Sequence, residues 1–284
     1  MLQMVKRFVV VVAALLFAGC NTLDIRGLVA PTGDVVNNRF QSSMSLIGGE
    51  SVATVEATES YMFYVAADPH IGYTYDNLQS FVELMQADAA ASFGIVLGDC
   101  TDRRDAMATY VEAIESDGDK PMFSIIGNHD LFFSGWDDFR ELLGPSVYWF
   151  EVDYGSGRDL FIALDSASGT LGGKQMRWLK DFLAANRKNY RHCTVLTHTN
   201  LFYTDNSQTS SGNMAMEETH TLVELFSRYN VTLCLQGHDH FREDLTLGGV
   251  RYTVVGTIRD EAKRPEYLLI RLSGGGVEYE WRYM

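Results

Sequence analysis

Positive charge is scarce in this chain. Its 284 residues carry 23 Lys and Arg against 37 Asp and Glu, a formal net charge of −14. No basic run breaks the pattern, and a field of that sign repels a long polyanion, so a nucleic-acid duplex is not expected as a partner. Long apolar stretches are missing too. The run from Phe8 to Ala18 falls well short of the ~20 residues a membrane-spanning helix needs. What remains is 46% hydrophobic, enough for one sizeable core.

The first residues have the layout of a secretory signal: positive Lys6-Arg7, the short apolar run, then small Ala18-Gly19 before Cys20. The junction resembles a bacterial lipoprotein processing site, with Phe17 standing where Leu is usual. Residues 1–19 are therefore expected to be a signal peptide, and Cys20 to become a lipidated first residue. That implies a membrane-anchored protein of the cell envelope facing away from the cytoplasm. Residues 20–58, rich in Asn, Ser, Thr and Gly, read as a tether, with room for a short strand. With Cys20 consumed, Cys100, Cys193 and Cys234 remain, an odd number that argues against a disulfide framework. Cys193 and Cys234 lie in apolar runs where they could pair across neighbouring strands, but packing as buried free thiols is the simpler reading.

Residues 59–284 read as one domain. Tyr61–Ala67, Phe93–Leu97 and Pro121–Ile126 are strand-like runs, with helical spacing from Asn77 (Leu78, Phe81, Val82, Met85) and again over Met107–Ile114. This alternation implies parallel βαβ units. Further on, Val147–Asp153 and Asp159–Leu164 flank a Gly-Ser-Gly turn as a hairpin, and the end from Arg251 is β-rich.

Five polar clusters each follow an apolar run: Asp68-Pro69-His70, Gly98-Asp99-Cys100-Thr101-Asp102, Gly127-Asn128-His129-Asp130, Thr197-His198, and Gly237-His238-Asp239-His240. Asp68 and Asp99 are 31 residues apart and Asp99 and Asn128 are 29 apart, about one βαβ unit each. These three should lie side by side at the carboxyl ends of adjacent parallel strands, the edge where open α/β sheets bind ligands. Any one cluster alone reads equally well as a turn, a capped loop or a satisfied histidine. The whole series supplies Asp, His, Asp, Asn, His, His and His, a donor set suited to two divalent ions such as Mn, Fe or Zn. Asp99 could bridge the two ions, and such a pair can clamp a phosphoryl group and activate water. His129 is left to face a substrate, where an imidazole can protonate a leaving oxygen.

The five motifs together resemble those of the calcineurin-like metallophosphoesterases, over residues from about 60 to the end. Leu164-Asp165-Ser166 and Gln175 with Trp178-Leu179 are similar to further segments of that family. The resemblance implies an α/β fold of two packed mixed β-sheets flanked by helices, acting on a phosphate-ester substrate. It assigns Asp68, His70, Asp99 and His240 to one metal, and Asp99, Asn128, His198 and His238 to the other. The bridging hydroxide would be the nucleophile and His129 the aid to the leaving group. Purple acid phosphatases, a related branch, have Tyr where Asp102 stands and lack the histidine of the first motif. The chain therefore looks closer to phosphodiesterases, with phosphomonoesterase as the alternative and an inactive metal-binding envelope scaffold as a reading of another class. The segment His198-Thr199-Asn200 departs from the His-His-Pro of many relatives, which bears on substrate choice.

Asp102 and Asp165 are expected beside the ligands rather than on a metal. Asp130 is expected to orient its own loop, Asp239 to face away, and Cys100 to pack. Leu131-Phe132-Phe133 with Trp136, and Phe202-Tyr203, line a substrate pocket or fill buried loops. Arg103 and Arg104 contact phosphate or form a solvated pair.

Overall fold

The computed structural model describes residues 32–116, 118–202 and 214–284. The signal segment, Cys20 and Tyr203 lie outside the described residues. No described helix is long and apolar enough to cross a membrane.

Two sheets pack face to face. One has five strands in the order β12-β11-β2-β3-β4, the other seven in the order β1-β5-β6-β7-β8-β10-β9. In the first, β2 (Tyr61–Ala66), β3 (Ala91–Val96) and β4 (Met122–Ser124) run parallel. The helices α2 (Asp76–Ala87) and α3 (Met107–Glu115) make the crossovers, as the sequence spacing requires. The helix α4 (Gly135–Leu142) follows β4. Antiparallel β11 (Glu266–Ser273) and β12 (Gly276–Tyr283) complete this sheet. In the second sheet, β5 (Tyr148–Asp153) and β6 (Arg158–Ala163) form the expected hairpin. Gly155 turns it with a φ of +83°, which a side chain disfavours. Parallel β7 (Cys193–Leu196) and β8 (Leu233–Gln236) lie beside β6, with α5 (Gly172–Asn186) and α6 (Met216–Arg228) outside. The edges are β1 (Thr54–Glu56) at one side and β9 (Glu243–Leu247) with β10 (Val250–Val254) at the other.

Three apolar layers hold these elements. Between the sheets, Phe63, Phe93, Phe150 and Phe161 are fully buried. Phe63 and Phe93 stack at 4.9 Å, and both meet Phe161 edge-on at 5.3 Å, geometries the ring quadrupole favours. Outside the five-stranded sheet, Tyr64, Phe81, Met85, Tyr110 and Phe139 bind the helices. Outside the other, Leu160, Ile162, Leu179, Leu222 and Phe226 do so. Every buried strand thus shows apolar residues on both faces, as sheets covered on both sides must.

Within residues 20–58, read as a tether with room for a short strand, the described part holds the strand β1 and a helix that the sequence reading did not anticipate. Helix α1 (Thr32–Ile47) lies on the domain, with Val36, Arg39, Phe40 and Ser43 buried at helical spacing. Phe40 meets Trp178 of α5 at 5.9 Å. Arg39 forks onto Asp165, with Nε 2.7 Å from Oδ2 and Nη2 2.9 Å from Oδ1. Ser43 and Ser146 continue that network. Removing one partner of a buried ion pair leaves the other charge stranded, which costs ~3–5 kcal/mol. Arg39→Ala should lower unfolding stability by about that amount in chemical denaturation, while the folded fraction keeps its metal content. An unchanged midpoint would show that α1 is not anchored through this pair.

Candidate metal centre

Each of the five motifs begins where a parallel strand stops. Asp68 and His70 follow β2, Asp99 follows β3, Asn128 and His129 follow β4, His198 follows β7, and His238 and His240 follow β8. Two sheets therefore deliver their strand ends to one place. Backbone bonds lock the neighbouring ends together: Asp68 N–H to Gly98 O, His70 N–H to Asp99 O, and Gly237 N–H to His198 O.

All seven candidate ligands converge. Donor atoms of Asp68, His70, Asp99 and His240 lie within 4.8 Å of one another, as do those of Asp99, His198 and His238. Asn128 Oδ1 joins the second group, 2.9 Å from His198 Nε2. The two groups share Asp99, whose oxygens divide between them. Oδ2 is 3.5 Å from His70 Nε2, and Oδ1 is 3.3 Å from His198 Nε2. This grouping matches the two ligand sets that the family resemblance implies.

The donors fit divalent cations. Asp68 and Asp99 are 0% and 2% exposed, and buried carboxylates need a compensating charge. His70 Nε2 and His240 Nε2 approach to 3.0 Å, and His198 Nε2 and His238 Nδ1 to 3.1 Å. Nitrogen lone pairs meet this closely when a proton or a cation stands between them. His238 Nε2 is buried with no hydrogen-bond partner among the described residues. The His198 ring is oriented by its Nδ1–H, which donates to Leu97 O at 2.9 Å and leaves Nε2 to the site.

Charge sets the protonation. Burial pushes the Asp68 carboxyl well above the usual range, with His198 only partly offsetting it. Burial pushes Asp99 the same way, but the imidazoles around it, His198 foremost, win and hold it well below that range. Burial pushes the His198 imidazole down, and the attraction of Asp99 overrides this and draws it up to about 10. His238 and His240 are pushed down to about 3, by burial first and then by neighbouring imidazoles.

The backbone here is unusual. Among the described residues eight non-glycine positions have positive φ, and five of them are Asp68, His70, Asp99, His238 and His240. Such conformations persist when the surroundings over-determine them. The motif glycines allow close approach. A Cβ on Gly127 would lie 2.1 Å from Asp99 N, and one on Gly98, itself at φ +86°, would lie 2.6 Å from His198 Nδ1.

Asp102 accepts from both His70 Nδ1, at 2.6 Å, and His129 Nδ1, at 2.9 Å. It therefore ties a candidate ligand to the His129 imidazole. Burial lowers the His129 pKa, but the Asp102 bond and the negative charges of Asp99, Asp102 and Asp130 together outweigh it, and the net shift is upward. Asp130 accepts from the backbone N–H groups of Gly127, Cys100 and Thr101, which joins two motif loops. Asp239 is buried and accepts from Asn200 Nδ2 at 2.6 Å, so the departure after His198 is pinned to the last motif.

Asp165 is a correction. Its carboxylate is taken up by Arg39 and Ser146, because the chain turns after β6 and points it toward α1. The neighbouring Ser166 reaches the site instead, its Oγ accepting from His198 N–H at 3.1 Å. Thr257 was not visible in the sequence. Its Oγ1 donates to Asp68 O at 2.6 Å, and nothing in its polar loop signals that role.

The aromatic candidates divide. Phe132 lies 4.7 Å from the His129 ring, Phe133 is 80% exposed, and Trp136 stacks on Phe139 in the core. Phe202 packs edge-on against Tyr252. Arg103 and Arg104 pair with Asp105 and Asp138. Cys100, Cys193 and Cys234 are buried free thiols.

The chain belongs to the calcineurin-like phosphoesterase family, whose sequence model matches residues 61–242. It is a metallophosphoesterase, a class that hydrolyses phosphate esters with a dinuclear centre of divalent metals. No curated protein matches the sequence. Solved structures share the fold. GAP50, the anchor in the inner membrane complex of Plasmodium, is 13% identical over 79% of this chain and 84% of its own, with a TM-score of 0.63. Purple acid phosphatase PPD1 from yellow lupin is 15% identical over 80% of this chain, with a TM-score of 0.61. The chain covers 52% of that enzyme's length. At such identities the likeness is one of fold alone.

A His198 pKa of about 10 in the metal-free protein means that the ring is protonated at neutral pH, and a ligand nitrogen must be bare. Metal loading at pH 7 should therefore release about one proton per molecule from this ring. The readout is the buffer dependence of the binding enthalpy. Metal binding without proton release would rule His198 out as a ligand.

Proposed function

We propose that the protein hydrolyses phosphodiesters at a centre held by Asp68, His70, Asp99 and His240 on one side and by Asp99, Asn128, His198 and His238 on the other. The observation that carries this reading is the division of Asp99, one oxygen toward each imidazole set. Two divalent ions bound there would supply an activated water and neutralise phosphate charge.

The residues supply the rest. His129 stands at the rim with a quarter of its side chain exposed, and its Nε2 is 3.9 Å from Asp99 Oδ2. Asp102 fixes its tautomer and favours its protonated form. It is thus placed to give a proton to the leaving oxygen. The preference for diesters rests on His70, which completes the first motif and resembles the phosphodiesterase branches.

Turnover of p-nitrophenyl bis-ester and mono-ester by metal-loaded protein tests this reading. Diester cleavage is expected to dominate. Dominant mono-ester cleavage would make the protein a phosphomonoesterase, and no turnover with both metals bound would favour a scaffold. His129→Ala should retain the metals and slow diester turnover by ~10²–10⁴-fold. Loss of metal from that variant would overturn the role given to His129.

The same proposal places the protein at the cell envelope, held by lipid on Cys20. The support is the signal-like layout of residues 1–19. Cys20→Ser should shift the protein out of membrane fractions. If the variant stayed with the membrane, lipid anchoring through Cys20 would be wrong.

A further inference from the structure

Beside the metal centre lies a cavity of about 700 Å³ whose wall includes His240 itself. Its lining gathers Arg242, Arg259, Lys263 and Arg264 against two carboxylates, Glu261 and Glu266. Four cations and two anions leave a net positive pocket in a chain of net charge −14. That reversal is local, and it adjoins the place where the substrate's phosphate must sit.

The pocket is built on the same framework as the ligands. One wall is the loop between β10 and β11, which carries Arg259, Lys263 and Arg264, and Arg242 comes from the segment after His240. Thr257 Oγ1 in that loop donates to Asp68 O at 2.6 Å, and Ile258 N–H donates to Ala67 O at 3.0 Å. Asp260 in turn accepts from Asp76 N–H at 3.2 Å and Asn77 N–H at 2.9 Å at the start of α2. The cations therefore stand at a fixed offset from the first metal set. Several are already oriented. Arg264 donates to Tyr283 Oη at 2.6 Å, and Arg242 lies 3.6 Å from Glu266. Arg259 pairs at 3.2 Å with Glu261, which is largely exposed and competes with water. Lys263 is exposed and has no ion-pair partner among the described residues.

We infer that this cavity binds a second anionic group of the substrate, a phosphate or carboxylate a few bonds from the scissile phosphate. The inference rests on the phosphodiesterase reading and narrows it to esters with an acidic substituent. Arg and Lys side chains recognise such oxygens by charge-assisted hydrogen bonds. The apolar share of the wall, with Phe241, Ala262 and Tyr283, accommodates a short linker.

Two chromogenic diesters with the same leaving group test it: propyl p-nitrophenyl phosphate and its 3-phosphonopropyl counterpart. The second should show a kcat/KM roughly 10- to 100-fold higher, and Lys263→Gln or Arg259→Gln should shrink that ratio toward one. Separately, calorimetry on metal-loaded protein should find propane-1,3-bisphosphonate binding more tightly than propylphosphonate, with the difference lost in Lys263→Gln. Equal rates together with equal affinities would overturn the pocket assignment. If neither diester is cleaved but the affinity difference remains, the pocket stands and the phosphodiesterase reading falls.

Discussion

The centre depends on a carboxylate withdrawn from water. Asp99 is almost wholly buried, and its burial is tolerated because imidazoles crowd it and because the backbone N–H of His129 donates to Oδ1 at 2.8 Å. Its two oxygens face different imidazole sets. In the metal-free protein the proton on His198, drawn up to about 10 by Asp99, offsets that charge. A cation and a ring proton compete for the same lone pair, so metal affinity and pH are linked at this site. The fold's task is to hold the opposing groups close enough for that exchange.

Two sheets accomplish it. The ends of β2, β3 and β4 supply the carboxylates, the amide, His70 and His129, while β7 and β8 supply three imidazoles. Neither sheet alone completes a metal set, since Asp99 comes from one and His198 and His238 from the other. The aromatic layer between the sheets fixes their separation. Phe63 and Phe93 of the five-stranded sheet lock onto Phe161 of the seven-stranded one. Packing in the core thereby sets distances at the rim, and interiors packed to crystal density deform little.

The sequence showed this centre clearly because each ligand follows an apolar strand and chain spacing alone orders the strands. Asp68, Asp99 and Asn128 are separated by one βαβ unit each, and topology then makes them neighbours. What it concealed depended on direction and on distant contacts. Asp165 and Ser166 adjoin at the same strand end, and only the turn after β6 decides that the serine meets His198 while the aspartate meets Arg39. Helix α1 escaped because its buried positions include Arg39 and Ser43, which dilute the apolar period. Thr257 and three of the four pocket cations belong to a polar loop whose value comes from where it docks.

The strained backbone connects stability with chemistry. Five candidate ligands hold positive φ, a conformation that costs of order 1–3 kcal/mol for each such residue. Rotating any of these residues back to the common region would swing its donor atom out of the cluster. The local network opposes that rotation: Asp102 grips His70, Thr257 grips the carbonyl of Asp68, and His238 N–H donates to the Asp68 carboxylate. Bound cations would strengthen the same restraint, because they favour only the clustered arrangement. Asp102 carries it one step further, since the carboxylate that aims His70 also holds His129. Displacing His70 therefore displaces His129, so the position of a candidate ligand and that of the imidazole proposed as proton donor are maintained by one side chain.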